Sequence, residues 1–360
     1  MIRRSVVVAY LVSSLAPLAP LACGGEAPAP ALPAPAASDS AAPVASTPPP
    51  APSDTAPVAV EPTPEEKKKA EAAKKLQDDR MAWQTSDAAE VARWTPEMHA
   101  AAKALADKSY PTLKSGLTAT LASPIRLPGH ADRDKYRHPQ ETLAFFGVKP
   151  TSVVLDFGPG DGWFTEVLAP LLAKRGKYIA TSGDPNGAPD SRGTFNAQKW
   201  QGFLAHSPEA FGKVQTVVVD NKAPALPLDG TVDVILLMRE AHGMVENKVL
   251  DLWLPVFQKA LKKGGVLGIE EHRAAPGANP DESAKKGYLP EAWLIEKVTA
   301  AGFKLADKSE INANPKDTKD YAEGVWVLPP TFILKDKDHD KYAAIGESDR
   351  MTLKFVKVSK

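Results

Sequence analysis

The sequence predicts an α/β fold built on a mostly parallel sheet with helices over both faces. Three observations carry that expectation. From His138 onward, short apolar runs alternate with longer stretches of helical period, the pattern of strand–helix–strand units. The run Ser152–Phe157 is apolar without polar alternation, as in a strand covered on both sides. That run carries Asp156 near its end, then glycines at 158, 160 and 162, then a helix-like stretch. Glycines after a strand let a ligand approach the backbone and expose the amides of the next helix.

Residues 1–23 have the pattern of a secretory segment: Arg3 and Arg4, then Val6 to Leu18, a stretch interrupted by Pro17 and too short for an ordinary membrane span. Residues 24–62 are dominated by Ala and Pro. Such a composition offers too little apolar surface to offset its ordering entropy, so a disordered tether is expected. It serves either as a spacer or as a partner-binding segment. Residues 63–134 read as a helical and loop extension. Thr63-Pro64-Glu65-Glu66 is a helix start, Thr95-Pro96-Glu97 starts a second helix through Ala106, and prolines 111, 124 and 128 mark 109–137 as loop.

Residues 135–360 form the expected main domain. Strands are predicted at Ser152–Phe157, Tyr178–Thr181, Gln215–Val219, Val232–Met238, Val266–Glu270, Phe303–Ile311 and Thr352–Val358. Helices are predicted at Gln140–Phe146, Phe164–Ala173, Gln198–Leu204, Lys248–Leu261 and Pro290–Ala300. The stretch Tyr342–Arg350 lies in an insertion before the last strand, read as a lid or a cover for the sheet edge.

Two cofactor classes use a glycine turn after a strand. The dinucleotide fingerprint needs its third glycine one residue later than Gly162, where this chain has Trp163. Trp is too bulky for the close packing that glycine permits, so a dehydrogenase is disfavoured. Asp156-x-Gly158-x-Gly160-x-Gly162 instead resembles motif I of class I S-adenosylmethionine-dependent methyltransferases. Leu226-Pro227 with Asp229-Gly230 and Asp233, Lys262-Lys263-Gly264-Gly265, and Ala301-Gly302-Phe303 resemble the family's turns into strands four, five and six. The stretches His138–Leu143, Glu271–Ala274, Asn312–Asp317 and Gly346–Met351 resemble a narrower group of exported methyltransferase-like proteins.

The resemblance implies a seven-stranded, doubly wound Rossmann-like sheet and S-adenosylmethionine as cofactor. It places Gly158, Gly160 and Gly162 against the methionyl part, with Asp156 orienting it. At the end of strand two the family carries an acid for the ribose. Here Ser182 stands in that place and Asp184 follows two residues on, so either Asp184 substitutes or ribose binding is weakened. Asp220 or Asn221 corresponds to the group near the adenine, with a strand-end turn as the plainer reading of Asp220. The end of strand four faces the transferable methyl in this family.

That end reads Met238-Arg239-Glu240-Ala241-His242. His242 titrates near neutrality and is a candidate base; the plainer reading is a helix-entry histidine. Glu271, His272 and Arg273 follow strand five. Glu271 is assigned with His242 to catalysis, and Arg239, Glu240, His272 and Arg273 to substrate binding. A salt-bridged loop is the alternative for the strand-five set. Arg137 and His138 stand where they could close over a carboxylate. The seven histidines show no short metal-ligand spacing, and no metal is expected.

Leu21-Ala22-Cys23-Gly24 resembles a bacterial lipobox, and Cys23 is the one cysteine of the chain. The resemblance implies lipidation of Cys23 and anchoring in the cell envelope, at the outer membrane facing the periplasm; a plain secretory signal is the alternative. One cysteine also excludes an internal disulfide. Forty-four basic and forty-four acidic residues leave no field that would favour nucleic acid. A non-catalytic lipoprotein that kept the fold is the rival reading, because the cofactor is made in the cytoplasm.

Overall fold

Seven strands form one sheet in the computed structural model, which describes residues 63–358. The expected signal segment, Cys23 and the tether lie outside the described residues. The strands are β1 Val153–Phe157, β2 Lys177–Ser182, β3 Gln215–Val218, β4 Val232–Met238, β5 Leu261–His272, β6 Phe303–Ser309 and β7 Arg350–Lys357. Their order is β3-β2-β1-β4-β5-β7-β6. The first five run parallel, and β7 pairs antiparallel with β5 and β6. This is the doubly wound, mostly parallel Rossmann-like sheet that the methyltransferase resemblance implies.

The central strands are apolar on both sides because both sides are covered. Leu155 and Phe157 of β1 join Ile235 and Leu237 of β4 in one core cluster, with Trp253 and Phe257 of the helix Leu250–Ala260. Val154, Val234, Leu236 and Met238 point the other way, onto Val167, Leu168 and Leu171 of the helix Thr165–Leu172. The alternation is the two-residue period of a strand. Each such aliphatic side chain contributes roughly 1.5–3 kcal/mol by burial.

The described chain opens on α1 Pro64–Arg93, α2 Pro96–Asp107 and α3 Leu113–Leu121, and two short helices, Asp134–Arg137 and Pro139–Phe145, follow before β1. Thr63 and Glu66 form the expected reciprocal cap at the start of α1. The third helix replaces the loop expected across 109–137. Pro111 and Pro124 flank it rather than break it, and Thr112 and Ser115 cap it. Residues 63–134 pack onto the sheet's helices. Ala102, Tyr110, Leu117 and Ile125 share a core cluster with the helix Thr165–Leu172, and Pro62–Lys360 form one compact unit.

The helix after β2 spans Arg192–Ala205, starting well before the expected Gln198, because Ser191 caps it. Strand β5 is longer at both ends than expected. Among the described residues no helix is long and apolar enough to cross a membrane. Strand order reverses at β1, which has β2 on one side and β4 on the other. Ligands in such sheets bind outside the carboxyl ends of the strands at that point.

Candidate functional site

The carboxyl ends of β1, β4 and β5 open into one cleft of about 470 Å³, within the usual range for a small-molecule site. Asp156, Gly158 and Gly160 form its floor, and Arg239, Glu240, His242 and His272 its far wall. Arg133 and Arg137 enter from before the sheet. Val325, Trp326, Pro329, Glu347 and Ser348 enter from the segment between β6 and β7. That segment is therefore a wall of the cleft.

The turn after β1 needs its glycines for distinct reasons. All three have positive φ: 74° at Gly158, 58° at Gly160 and 83° at Gly162. A Cβ at Gly160 would meet nothing within 4 Å, so this residue presents bare backbone to the cleft. At Gly158 a Cβ would lie 2.6 Å from the Glu240 carboxyl, and at Gly162 2.5 Å from the Phe203 ring. Gly162 thus makes room for packing and, contrary to the sequence expectation, does not line the cleft. The Gly158 N–H donates to Thr181 Oγ1 at 3.0 Å, a link between the ends of β1 and β2 that the sequence did not reveal.

Asp156 is buried, and its carboxylate accepts a hydrogen bond from Tyr178, which also meets Thr165. Burial pushes the Asp156 carboxyl up to about 6, against the pull of the Tyr178 hydroxyl. Burial raises Glu240 further, to about 8; His242 opposes this and the neighbouring Glu271 adds to it.

His242 is the second residue of the helix Ala241–Glu246 and is held by Glu271. Its Nδ1 lies 2.9 Å from Glu271 Oε1, and its backbone N–H donates to Glu271 Oε2 at 3.0 Å. The His272 N–H donates to Glu271 Oε1 at 2.8 Å, and the His272 ring nitrogen Nδ1 meets the Ser348 hydroxyl. Burial lowers the pKa of His242, but the Glu271 carboxylate outweighs it and the net shift is upward. His272 is held well below its usual value by burial and by the positive charges of His242, Arg350, Arg239 and Arg137. Glu271 is fully buried and does not line the cleft; the backbone of His242 and His272 and the His242 ring hold its carboxylate.

A buried ion network supports the wall. Arg239, at a strained φ of 62°, donates to Glu270 at 2.9 Å. Glu347 accepts from Arg133 at 2.6 Å and Arg350 at 2.8 Å, with Arg137 at 3.4 Å. Burial alone would raise Glu347, but Arg350, Arg137, Arg133 and Arg239 hold it down at about 2. None of these partners is close in sequence to the glycine turn.

Other expected residues lie elsewhere. Ser182 ends β2 paired with Val218 and does not line the cleft. Asp184 accepts from the Asn186 N–H at 2.9 Å, and Asp220 from the Lys222 N–H at 2.8 Å. Both are side chains turned back onto their own loops, outside the cleft. Asn221 accepts from Trp253 Nε1 at 2.9 Å. Arg273 does not reach the cleft; it pairs with Glu310 at 2.7 Å and Glu291 at 3.2 Å, the salt-bridged alternative. Arg137 lines the cleft, whereas His138, at a φ of 40°, turns to Asn312. The cleft thus offers the bare backbone of Gly160 and the guanidinium groups of Arg133 and Arg137, while Ser182, Asp184 and Asp220 lie outside it.

A larger groove of about 1040 Å³ runs between α1 and the helix Arg192–Ala205. It shares His130, Gly160 and Asp161 with the cleft but none of the residues of β4 or β5.

No family model matches the chain. Calpain-10 of Mus musculus is 28% identical over 199 residues, 54% of this chain and 27% of that protein, so the chain spans about a quarter of the length of this curated relative. Among solved structures, a SAM-dependent methyltransferase from Aquifex aeolicus is 17% identical, covers 63% of this chain and 93% of its own, and has a TM-score of 0.40. The 1,6-didemethyltoxoflavin-N1-methyltransferase of Burkholderia thailandensis, with S-adenosylhomocysteine bound, is 16% identical over 62% of this chain and 78% of its own, at a TM-score of 0.37. The putative methyltransferase complexed with the Haloferax volcanii Trm112 activator is 18% identical over 63% of this chain and 92% of its own, at 0.40. At such scores the likeness carries no argument of its own. The fold rests on the strand order and the glycine turn.

Proposed function

We propose that the chain is an S-adenosylmethionine-dependent methyltransferase held in the cell envelope by lipid on Cys23. One observation carries the catalytic part. The bare backbone of Gly160 and the ends of β4 and β5 line the same cleft. A methyl donor seated on the turn would then face His242 and His272, and these handle the reacting group of the acceptor. Arg133 and Arg137 suit the donor's carboxylate, since a guanidinium pairs with it bidentately. When bound, the cofactor supplies an electrophilic methyl. The protein supplies placement, which can account for a large share of such a rate.

Calorimetry of the full chain with S-adenosylmethionine and S-adenosylhomocysteine tests the reading. Micromolar binding is expected, and no heat up to millimolar ligand would overturn it. A second reading, a non-catalytic lipoprotein, is favoured by one feature: Ser182, Asp184 and Asp220 all lie outside the cleft. It predicts that silent result.

The anchoring part rests on the lipobox-like run around Cys23. Cys23→Ala should move the protein from the membrane fraction to the soluble one, or stop its maturation. An unchanged fractionation and an unchanged mass of the mature protein would refute it.

A further inference from the structure

We propose that His242, Glu271 and His272 together hold a divalent transition-metal ion. One ligand atom of each lies within 4.8 Å of the other two. His242 Nδ1 and Glu271 Oε1 are 2.9 Å apart. Two ligands on an ion with bonds of about 2.1 Å lie roughly 3 Å apart at a right angle and about 3.4 Å apart at a tetrahedral one, so this pair needs only a small movement to share one. Two imidazoles and a carboxylate suit Zn²⁺, Mn²⁺, Fe²⁺ or Co²⁺ better than Mg²⁺.

The surroundings resemble the supporting shell of a metal site. Two backbone N–H groups, from His242 and His272, fix the Glu271 carboxylate. The Ser348 hydroxyl occupies Nδ1 of His272, which leaves Nε2 for the ion. Such outer hydrogen bonds set the tautomer and orientation of a ligating histidine. The nearby positive charges are paired: Arg239 and Arg350 with Glu270, and Arg350 again with Glu347.

His242 and His272 line the cleft, so the ion would keep open positions towards it. These suit a hydroxyl oxygen, whose proton the ion would make easier to lose to solvent water, leaving the oxygen as a bound anion. On the methyl-transfer reading, on which this last step rests, that oxygen belongs to the acceptor, and His242 acts as a ligand rather than as a base. Sequence spacing could not show the site, because His242 and the pair Glu271-His272 lie on different strand ends.

The test is calorimetry of the chelator-treated full chain with Zn²⁺, Mn²⁺ and Mg²⁺. One equivalent of Zn²⁺ should bind, Mn²⁺ more weakly and Mg²⁺ weakest. Ser348→Ala should weaken Zn²⁺ binding about 10- to 100-fold, as loss of a supporting hydrogen bond does, and His242→Ala and His272→Ala should weaken it more. Electron resonance of the Cu²⁺-loaded wild type should show two coupled imidazoles, a readout that does not depend on the variants folding. No stoichiometric ion in the folded wild type, fewer than two coupled imidazoles, or folded histidine variants that bind as well as wild type would overturn the proposal. S-Adenosylmethionine binding by the metal-free chain, measured alongside, keeps failure of the ion site separate from failure of the methyl-donor reading.

Discussion

Asp156 shows how one residue can serve a site at the expense of stability. Its folded carboxyl titrates at about 6, against an ordinary 3.8. A folded pKa above the unfolded one means that the folded state holds its proton longer. Stability therefore falls as pH rises from about 4 to about 6 and stays lower above that, by up to about 3 kcal/mol. Asp156→Asn removes the charge and keeps an acceptor for Tyr178. The variant should be more stable than wild type by about 1–3 kcal/mol at pH 7.5, with the gain vanishing near pH 4. Urea unfolding at the two pH values checks this, and a gain of equal size at both would show that burial of the charge is not its cause.

At the scale of elements, the end of β2 separates the two readings of function. Ser182 stands at the strand end, while Asp184 caps its own turn. On the methyl-transfer reading, Ser182→Asp should supply a ribose acceptor and tighten S-adenosylhomocysteine binding by about 1.5–3 kcal/mol, the usual value of a hydrogen bond to a charged group. Asp184→Ala should leave that binding unchanged. The opposite pattern would mean that the loop bends back when ligand binds. The same element marks what could be read in advance. The apolar runs of β1 and β4 and the glycines of the turn declare themselves locally, because strand burial and positive φ each select residue types. Thr181 does not, since a threonine in a strand signals nothing until Gly158 is seen to donate to it. α3 was hidden for another reason: its flanking prolines look like loop residues until the Thr112–Ser115 cap is seen between them.

For the whole molecule, the part of the site illegible in the sequence is the ion network. Glu347 meets Arg133 and Arg137 from more than two hundred residues away, and no local pattern encodes such a meeting. The network also makes stability depend on pH. With a folded pKa of about 2 against 4.5, Glu347 contributes stability that is present above about pH 4.5 and is lost as pH falls towards 2. Glu347→Gln leaves three buried or half-buried arginines short of a counter-charge and should cost about 3–5 kcal/mol at pH 7. The difference from wild type should shrink below pH 4.5, as denaturant titrations across that range would show. A cost independent of pH would point to packing instead.

Glu347 also acts as a clasp. It fastens the 133–137 segment, which enters the cleft ahead of the sheet, to the start of β7, where the chain ends its course through the sheet. Two stretches far apart in the chain are thereby made one cooperative unit, so neither can open alone without stranding a buried charge. Amide exchange should find the backbone of 133–138 and of 347–351 releasing their protons at a common rate. In Glu347→Gln the two rates should part, the earlier segment becoming the faster. The cleft wall would then fray while the sheet behind it stayed closed.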